Sequence, residues 1–146
     1  MSTKTGQLHP CRVRERFDIV PTARGEIGLH LPGRWFRLVF DTARLTRDRS
    51  AVQLDADILS DQILGPILSI IDLRNDRRIE FFGGDRDPAE MERRVASGKA
   101  AGFVLYPASV EDVIRVANCG DVMAPKSTWF EPKLADGLVS YQCDLA

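Results

Sequence analysis

The chain has 146 residues, of which 44% are hydrophobic and 28% charged, and its formal net charge is -1. This length and composition are typical of one soluble domain, large enough to bury about two thirds of the surface that its unfolded chain exposes. A net charge so close to zero argues against bulk electrostatic attraction to nucleic acid or to an anionic membrane.

The charge is unevenly distributed along the chain. Residues 1–50 contain ten Lys and Arg against five Asp and Glu, whereas residues 51–146 contain ten against sixteen. The first third is therefore basic and the remainder acidic. Either the basic end is a solvated face, which is the simpler interpretation, or it meets a polar partner.

The cysteines and apolar segments indicate a cytoplasmic protein. Cys11, Cys119 and Cys143 are far apart and odd in number, so we expect reduced thiols rather than a zinc site or a disulfide framework. The apolar stretch at 67–71 is too short to cross a bilayer, and the first residues lack the apolar core of a signal peptide. No membrane partner is expected.

The first regular elements are predicted after an N-terminal arm. Residues 1–24 show no sustained period, which leaves open a loosely attached basic arm or an edge strand around residues 17–20. Residues 26–30 and 34–40 then flank Leu31-Pro32-Gly33, which predicts a β-hairpin. Alternation in its second arm places Phe36, Leu38 and Phe40 on one apolar face.

A helix is predicted in the acidic segment that follows. Asp55 or Asp57 can cap a helix that begins near Ile58 and stops at Gly65-Pro66. Asp55, Asp57 and Asp61 could in principle hold Mg²⁺, but ordinary capping and first-turn charge explain them more simply. Residues 67–71 read as a short helix or a buried bend, and residues 78–82 as a strand.

Two helices carry clearer signals at their ends. Asp87 as N-cap, Pro88 and Glu90 predict a helix that closes at Gly98. Ser109 and Asp112 repeat the capping pattern before a helix that ends at Gly120. Its apolar residues at helical spacing are Val110, Val113, Ile114 and Ala117.

Strands predicted at 102–106 and 137–142 complete the pattern. The order of elements predicts an α+β fold: a single domain over residues 25–146 with a mixed, mostly antiparallel sheet and about three helices.

The candidate binding site is the loop Lys126-Ser127-Thr128, with Lys133 as a second cation. A lysine ammonium beside two hydroxyls suits a phosphate or carboxylate. No Gly-x-x-x-x-Gly precedes the lysine, so this is not a Walker-type phosphate loop. The alternative is structural: the hydroxyls cap a turn, Trp129 and Phe130 fill the core, and the lysines are solvated.

A second anion site at Gly83-Gly84-Asp85, ahead of a helix N-terminus, is disfavoured. Asp85 and Asp87 would repel an anion there, so a simple turn is the better interpretation.

Residues 123–134 and Gly137-Leu138-Val139 resemble the closing signature of an uncharacterised bacterial and archaeal family, domain of unknown function ten-fifteen. That family ends in Met-Pro-x-Lys-Ser-Thr-x-Phe-x-Pro-Lys-Leu followed by Gly-Leu-Val. Residues 33–38, 54–68 and 107–113 resemble it in the same order, so the resemblance covers about residues 25–142. One departure is that Pro125 stands one place later than the family's proline.

The resemblance implies a C-terminal module. Full-length members carry an upstream domain similar to the ParB and free-serine-kinase superfamily, with an Asp-Gly-His-His-Arg motif that this chain lacks. The expected function is therefore non-catalytic, without a cofactor or metal: binding of a phosphorylated small molecule or nucleotide, packing on a ParB-like or serine-kinase-like domain in trans, or both. The alternatives are a stand-alone small phosphotransferase or phosphatase, and a purely structural protein-interaction domain.

Overall fold

The protein is a four-stranded antiparallel sheet with helices on both faces, seen in a computed structural model that describes residues 11–15, 20–42, 53–82, 88–98 and 100–128. The strands lie in the order β1-β3-β2-β4. Their bounds are β1 Cys11–Glu15, β2 Glu26–Leu31, β3 Arg34–Phe40 and β4 Gly102–Leu105. The predicted α+β class with a mostly antiparallel sheet is confirmed.

The predicted hairpin forms the centre of the sheet. Ile27 pairs with Leu38 and Leu31 with Arg34, so the reversal falls at Pro32-Gly33. Gly33 has a φ of 74°, in the left-handed region that a residue without Cβ adopts at little cost. The local turn signal therefore fixes the register of the two central strands.

The main core lies between one face of this sheet and the first helix. Ile27, Leu38 and Phe40 point to that face, and all three are buried. They cluster with buried side chains of the helical segment and of the bend after it, namely Ile58, Leu59, Ile63, Leu64 and Ile70. Removing this apolar surface from water is the main stabilising contribution to the domain.

The first helix begins earlier than predicted. Helix α1 spans Asp55–Leu59 and continues as a π-helical turn over Ser60–Leu64. Its N-cap is Leu54, so the prediction of an Asp55 or Asp57 cap near Ile58 is wrong. Asp57 instead lies in the first turn, where its Oδ2 accepts a hydrogen bond from the Leu54 N–H at 2.9 Å. The predicted stop at Gly65-Pro66 is confirmed.

The opposite face of the sheet is packed against helix α2, Pro88–Ser97. Val95 is buried there, and Trp35 donates its Nε1–H to Glu92 at 2.8 Å. Gly102 permits this approach, since a Cβ at that position would lie only 2.8 Å from the Met91 sulfur. The helix ends before Gly98, as predicted, while its proposed cap Asp87 lies outside the described residues.

Two segments between α1 and α2 are irregular. Residues 67–71 form a bend in which Ser69 has a φ of 54°; Ile70 is buried there, while Ile71 is 93% exposed. The strand predicted at 78–82 is wrong, because these residues join no strand pair among the described residues. A side-chain contact connects this segment to the preceding bend instead, since Arg78 donates to the carbonyl of Leu68 at 2.9 Å.

Helix α3, Val110–Asn118, starts with the predicted cap. Ser109 Oγ accepts from the Asp112 N–H at 3.2 Å, and Asp112 Oδ2 accepts from the Ser109 N–H at 2.9 Å. The buried positions of this helix are Asp112 and Val116. The residues singled out by their apolar spacing are not the buried face: Val110 is 69% exposed and Ile114 54%.

The two ends of the chain are described in part. Strand β1, within the stretch predicted as an N-terminal arm, pairs with β3 at the edge of the sheet. The alternative edge strand around residues 17–20 and the final strand at 137–142 fall mostly or wholly outside the described residues. The division of the chain at residue 24 stays a prediction.

Candidate functional site

The Lys-Ser-Thr loop is a tight β-turn over residues 124–127. Its closing hydrogen bond runs from the Ser127 N–H to the carbonyl of Ala124 at 3.3 Å. Pro125 takes the second position and Lys126 the third, where its φ is 58°. A positive φ at the third position together with proline at the second is typical of a type II turn.

Lys126 occupies a position that normally favours glycine. A non-glycine residue in the left-handed region gives up about 1–2 kcal/mol relative to right-handed backbone. The fixed φ of Pro125 and the bond that closes the turn hold the backbone in this shape. The proline noted as displaced from the family pattern therefore occupies a defined position in the turn.

The four predicted ligand-binding residues have different surroundings. Lys126 and Thr128 are exposed, and Ser127 is half-buried. Ser127 Oγ donates its proton to the carbonyl of Ala124 at 2.7 Å, so this hydroxyl can still accept a hydrogen bond while its donor is engaged. Lys126 makes no ion pair with any residue that the structure describes. Lys133 lies outside the described residues.

Two of the three aspartates considered for Mg²⁺ have separate hydrogen-bond partners. Asp55 Oδ1 accepts from the Gly25 N–H at 2.9 Å, and Asp57 accepts from Leu54. Across the described part of the chain, no three His, Cys, Asp or Glu side chains are grouped to hold a metal ion. The alternative anion site at residues 83–85 is outside the described residues.

The structure reveals a buried charged group that the sequence did not indicate. We call it the Asp112 junction; it joins the chain before β2 to the starts of α1 and α3, and its members are Arg24, Gly25, Asp55, Ser109 and Asp112. Asp112 is 0% exposed. Its Oδ2 accepts from an Arg24 guanidinium N–H, and its Oδ1 accepts from Arg115 at 3.0 Å.

These donors determine the protonation of Asp112. The Arg24 hydrogen bond is the largest cause that lowers its pKa well below the usual range; burial opposes this, and Ser109 and Arg115 add to the lowering. Asp112 is therefore ionised at neutral pH, and the donors around it compensate for its removal from water.

Asp55, in the same junction, shows the opposite behaviour. Burial raises its pKa, and the hydrogen bond from the Gly25 N–H to Oδ1 is the largest opposing cause. Its Oδ2 is buried without a hydrogen-bond partner among the described residues. The negative charge of Asp112 also raises its pKa, so the two carboxylates disfavour each other's ionisation.

Sequence reasoning found one half of the junction and missed the other. The Ser109 and Asp112 spacing correctly predicted the reciprocal cap, because a cap is local. Arg24 is separated from Asp112 by 88 positions, and no periodicity or spacing connects them.

The described cysteines and helices add two observations. Cys11 is a free thiol, while Cys143 lies outside the described residues. Among the residues that the structure describes, no helix combines the length and the apolar character needed to cross a membrane.

Comparisons of the chain with protein-family models, with curated proteins and with solved structures each gave no match. The resemblance of residues 25–142 to the domain of unknown function ten-fifteen family stays a prediction.

Proposed function

We propose that this protein is a binding module for a phosphorylated or otherwise anionic small molecule, which it holds at the turn 124–127. The observation that carries the proposal is Lys126, an exposed ammonium in left-handed backbone with no acidic partner among the described residues. Thr128 would supply a hydroxyl beside it, and Lys133 a second positive charge. No reaction is assigned to this site.

The chemistry of the turn supports an anionic ligand. A lysine ammonium presents several donors as a point charge, and a hydrogen bond between ionised groups is about twice as strong as one between neutral groups. Non-glycine residues in the left-handed region cluster at binding sites, where strain preorganises a side chain. Proline-fixed backbone lowers the entropy lost when such a site is occupied.

The proposal includes a protein partner. A ParB-like or serine-kinase-like domain acting in trans would provide the chemistry that the Lys-Ser-Thr loop does not. This part is supported by the resemblance of the ordered sequence blocks, and it requires that the ligand-binding turn stay accessible when the partner is present.

Thermal unfolding with inorganic phosphate, phosphoserine and a nucleoside triphosphate tests the binding claim. A ligand that binds only the native state raises the melting temperature in a concentration-dependent manner. We expect at least one of these probes to do so, and we expect Lys126→Ala to abolish the rise. Arg77→Ala is the matched control, since it removes one positive charge from another exposed turn.

Two results would contradict the proposal. The first is a rise in melting temperature that persists in Lys126→Ala, which would place the ligand elsewhere. The second is that no probe stabilises the wild-type protein. The second result favours a purely structural interaction domain, an alternative supported by the Ser127 hydroxyl being engaged with the main chain. Turnover of a probe in the same samples would instead indicate a stand-alone phosphotransferase or phosphatase.

A further inference from the structure

Strand β1 presents a positively charged face at the edge of the sheet. Arg12 and Arg14 alternate with Cys11, Val13 and Glu15, and both arginines are exposed. In the register of β1 with β3, Arg12 lies opposite Val39 and Arg14 opposite Arg37. These side chains therefore share the sheet face opposite to the Ile27 and Leu38 core.

Glu26, an acidic residue on the same sheet face, is already engaged. Arg37 is buried, and its guanidinium lies 3.3 Å from a carboxylate oxygen of Glu26. That same oxygen accepts from Thr22, and Arg37 also donates to the carbonyl of Val20 at 3.3 Å. Arg12 and Arg14 make no ion pair with any described residue.

On the other face of β1, an acidic and a basic side chain form an ion pair. Glu15 accepts two hydrogen bonds from Arg34, both at 3.0 Å, so the charges at that end of the strand are balanced within the domain. Arg14 by contrast faces another arginine directly, an arrangement that destabilises an antiparallel pair. An acidic group from outside the described residues would reduce the repulsion between these two arginines.

Strand β1 lies at one edge of the sheet that the described residues form. The strand pairs with β3, and no other described strand pairs with it. An edge strand presents a row of N–H and C=O groups that can pair with another extended chain.

We propose that β1 binds an extended acidic segment of a partner protein, which adds to the sheet as a further strand beside Cys11–Glu15. Acidic residues at alternate positions of that segment would meet Arg12 and Arg14, whose spacing of two residues corresponds to about 6.5 Å along a strand. This inference does not depend on the anion site at the turn 124–127. It assigns a role to two of the ten basic residues in the first third of the chain.

A peptide segment fits these observations better than nucleic acid. The formal net charge of the chain is -1, which gives no long-range attraction to a polyanion. Pairing with main-chain groups at a sheet edge is a property of an extended polypeptide, and the period of two in the arginines matches the period of two in a strand.

Fluorescence anisotropy with the full chain and a labelled peptide tests the proposal. The peptide alternates Glu with Val and Thr; one comparison peptide has the same composition with its Glu residues adjacent, and another has Lys in place of Glu. We expect the alternating peptide to bind more tightly than either. We expect Arg12→Gln with Arg14→Gln to weaken it about fivefold or more, since two ion pairs are lost.

The matched control is Arg74→Gln with Arg77→Gln, which removes the same charge from exposed positions away from the sheet. Circular dichroism establishes that each variant is folded. A pair of peptides N-methylated at the Glu or at the intervening residues tests the main-chain pairing, because only one of the two sets of N–H groups faces β1.

Three outcomes would overturn the inference. The alternating peptide fails to bind, in which case the arginines serve to keep edge strands of separate molecules apart. The comparison peptides bind as tightly as the alternating peptide, or Arg74→Gln with Arg77→Gln weakens binding as much as Arg12→Gln with Arg14→Gln. A single-stranded oligonucleotide binds more tightly than the alternating peptide and loses affinity with Arg12 and Arg14, which identifies nucleic acid as the partner.

Discussion

The Asp112 junction and the turn 124–127 both contain charged side chains, but they differ in how those charges are satisfied. Asp112 is inaccessible to solvent and receives hydrogen bonds from Arg24, Ser109 and Arg115. Lys126 is exposed and is paired with no described residue. The charges of the Asp112 junction connect parts of the fold, whereas the charge of Lys126 is available to a ligand.

Energetics support this division. Desolvating Asp112 is costly, and its donors compensate only because the chain before β2 and the start of α3 are held side by side. An exposed ammonium costs little in the unliganded protein and keeps its donors for a ligand. Substitutions at the junction should therefore change stability, whereas substitutions at Lys126 should change binding.

The largest expected effect is that of Asp112→Asn. This change removes the charge that Arg24 and Arg115 neutralise and leaves a buried amide, so we expect the free energy of unfolding to fall by about 2–3 kcal/mol. Urea denaturation measures it. Glu111→Gln is the control, since it removes one charge from the exposed part of the same helical turn. An equal loss in both variants would contradict the structural role of the junction.

The same carboxylate predicts the pH dependence of stability. Because the pKa of Asp112 is lower in the folded protein than in the unfolded chain, its contribution is present above about pH 4, its ordinary unfolded value, and is lost as pH falls below it. Urea midpoints between pH 7 and pH 3 should fall less steeply for Asp112→Asn than for the wild type. An equally steep fall in both proteins would show that other groups control the loss of stability at low pH.

Asp55 opposes this trend, since its pKa is raised in the folded protein. Its ionised form is disfavoured by burial, so its contribution to stability decreases as pH rises above its unfolded value.

A backbone change in the junction should have the next largest effect. Gly25 has a φ of 79°, and a Cβ there would lie 2.7 Å from the Thr42 methyl carbon and 3.1 Å from the carbonyl oxygen of Phe40. We expect Gly25→Ala to reduce the free energy of unfolding by about 2 kcal/mol, because left-handed strain and a close contact add together. Gly98→Ala, where the nearest atom is 3.9 Å away, is the control in the same denaturation experiment.

The smallest expected effect distinguishes the turn most clearly. Lys126→Gly should increase the free energy of unfolding by about 0.5–1 kcal/mol, since glycine accepts a φ of 58° while its greater unfolded entropy offsets part of the gain. The same variant should lose ligand stabilisation, because the ammonium is gone. A variant that loses stability and binding together would indicate that Lys126 supports the fold instead.

Local signals in the sequence predicted much of this fold. The hairpin follows from Pro32-Gly33 between two alternating arms. The C-terminal ends of α2 and α3 follow from glycine, and the start of α3 follows from its capping residues. Each of these signals acts within a few residues of the structure that it produces. The turn at Lys126 belongs to the same group, since proline and a hydroxyl residue indicate a turn.

Signals that depend on distant parts of the chain were missed. Asp55 was expected as a possible cap of its own helix, but it accepts from Gly25, thirty positions away, and the helix begins at Asp55 itself. Residues 78–82 have strand propensity, yet Glu80 pairs with Arg94 of α2 and the segment joins no described strand. The direction of the Ser127 hydroxyl likewise depends on turn geometry that residue types do not specify.

The most direct test of the contrast is an NMR titration of the full chain with phosphoserine, in which backbone amide shifts are followed at both regions. The account predicts saturable shifts at the amides of Lys126, Ser127 and Thr128, small changes at Arg24 and Asp112, and no saturable response in Lys126→Ala. Shifts concentrated at Arg24, Ser109 and Asp112, or a response unchanged by Lys126→Ala, would contradict it.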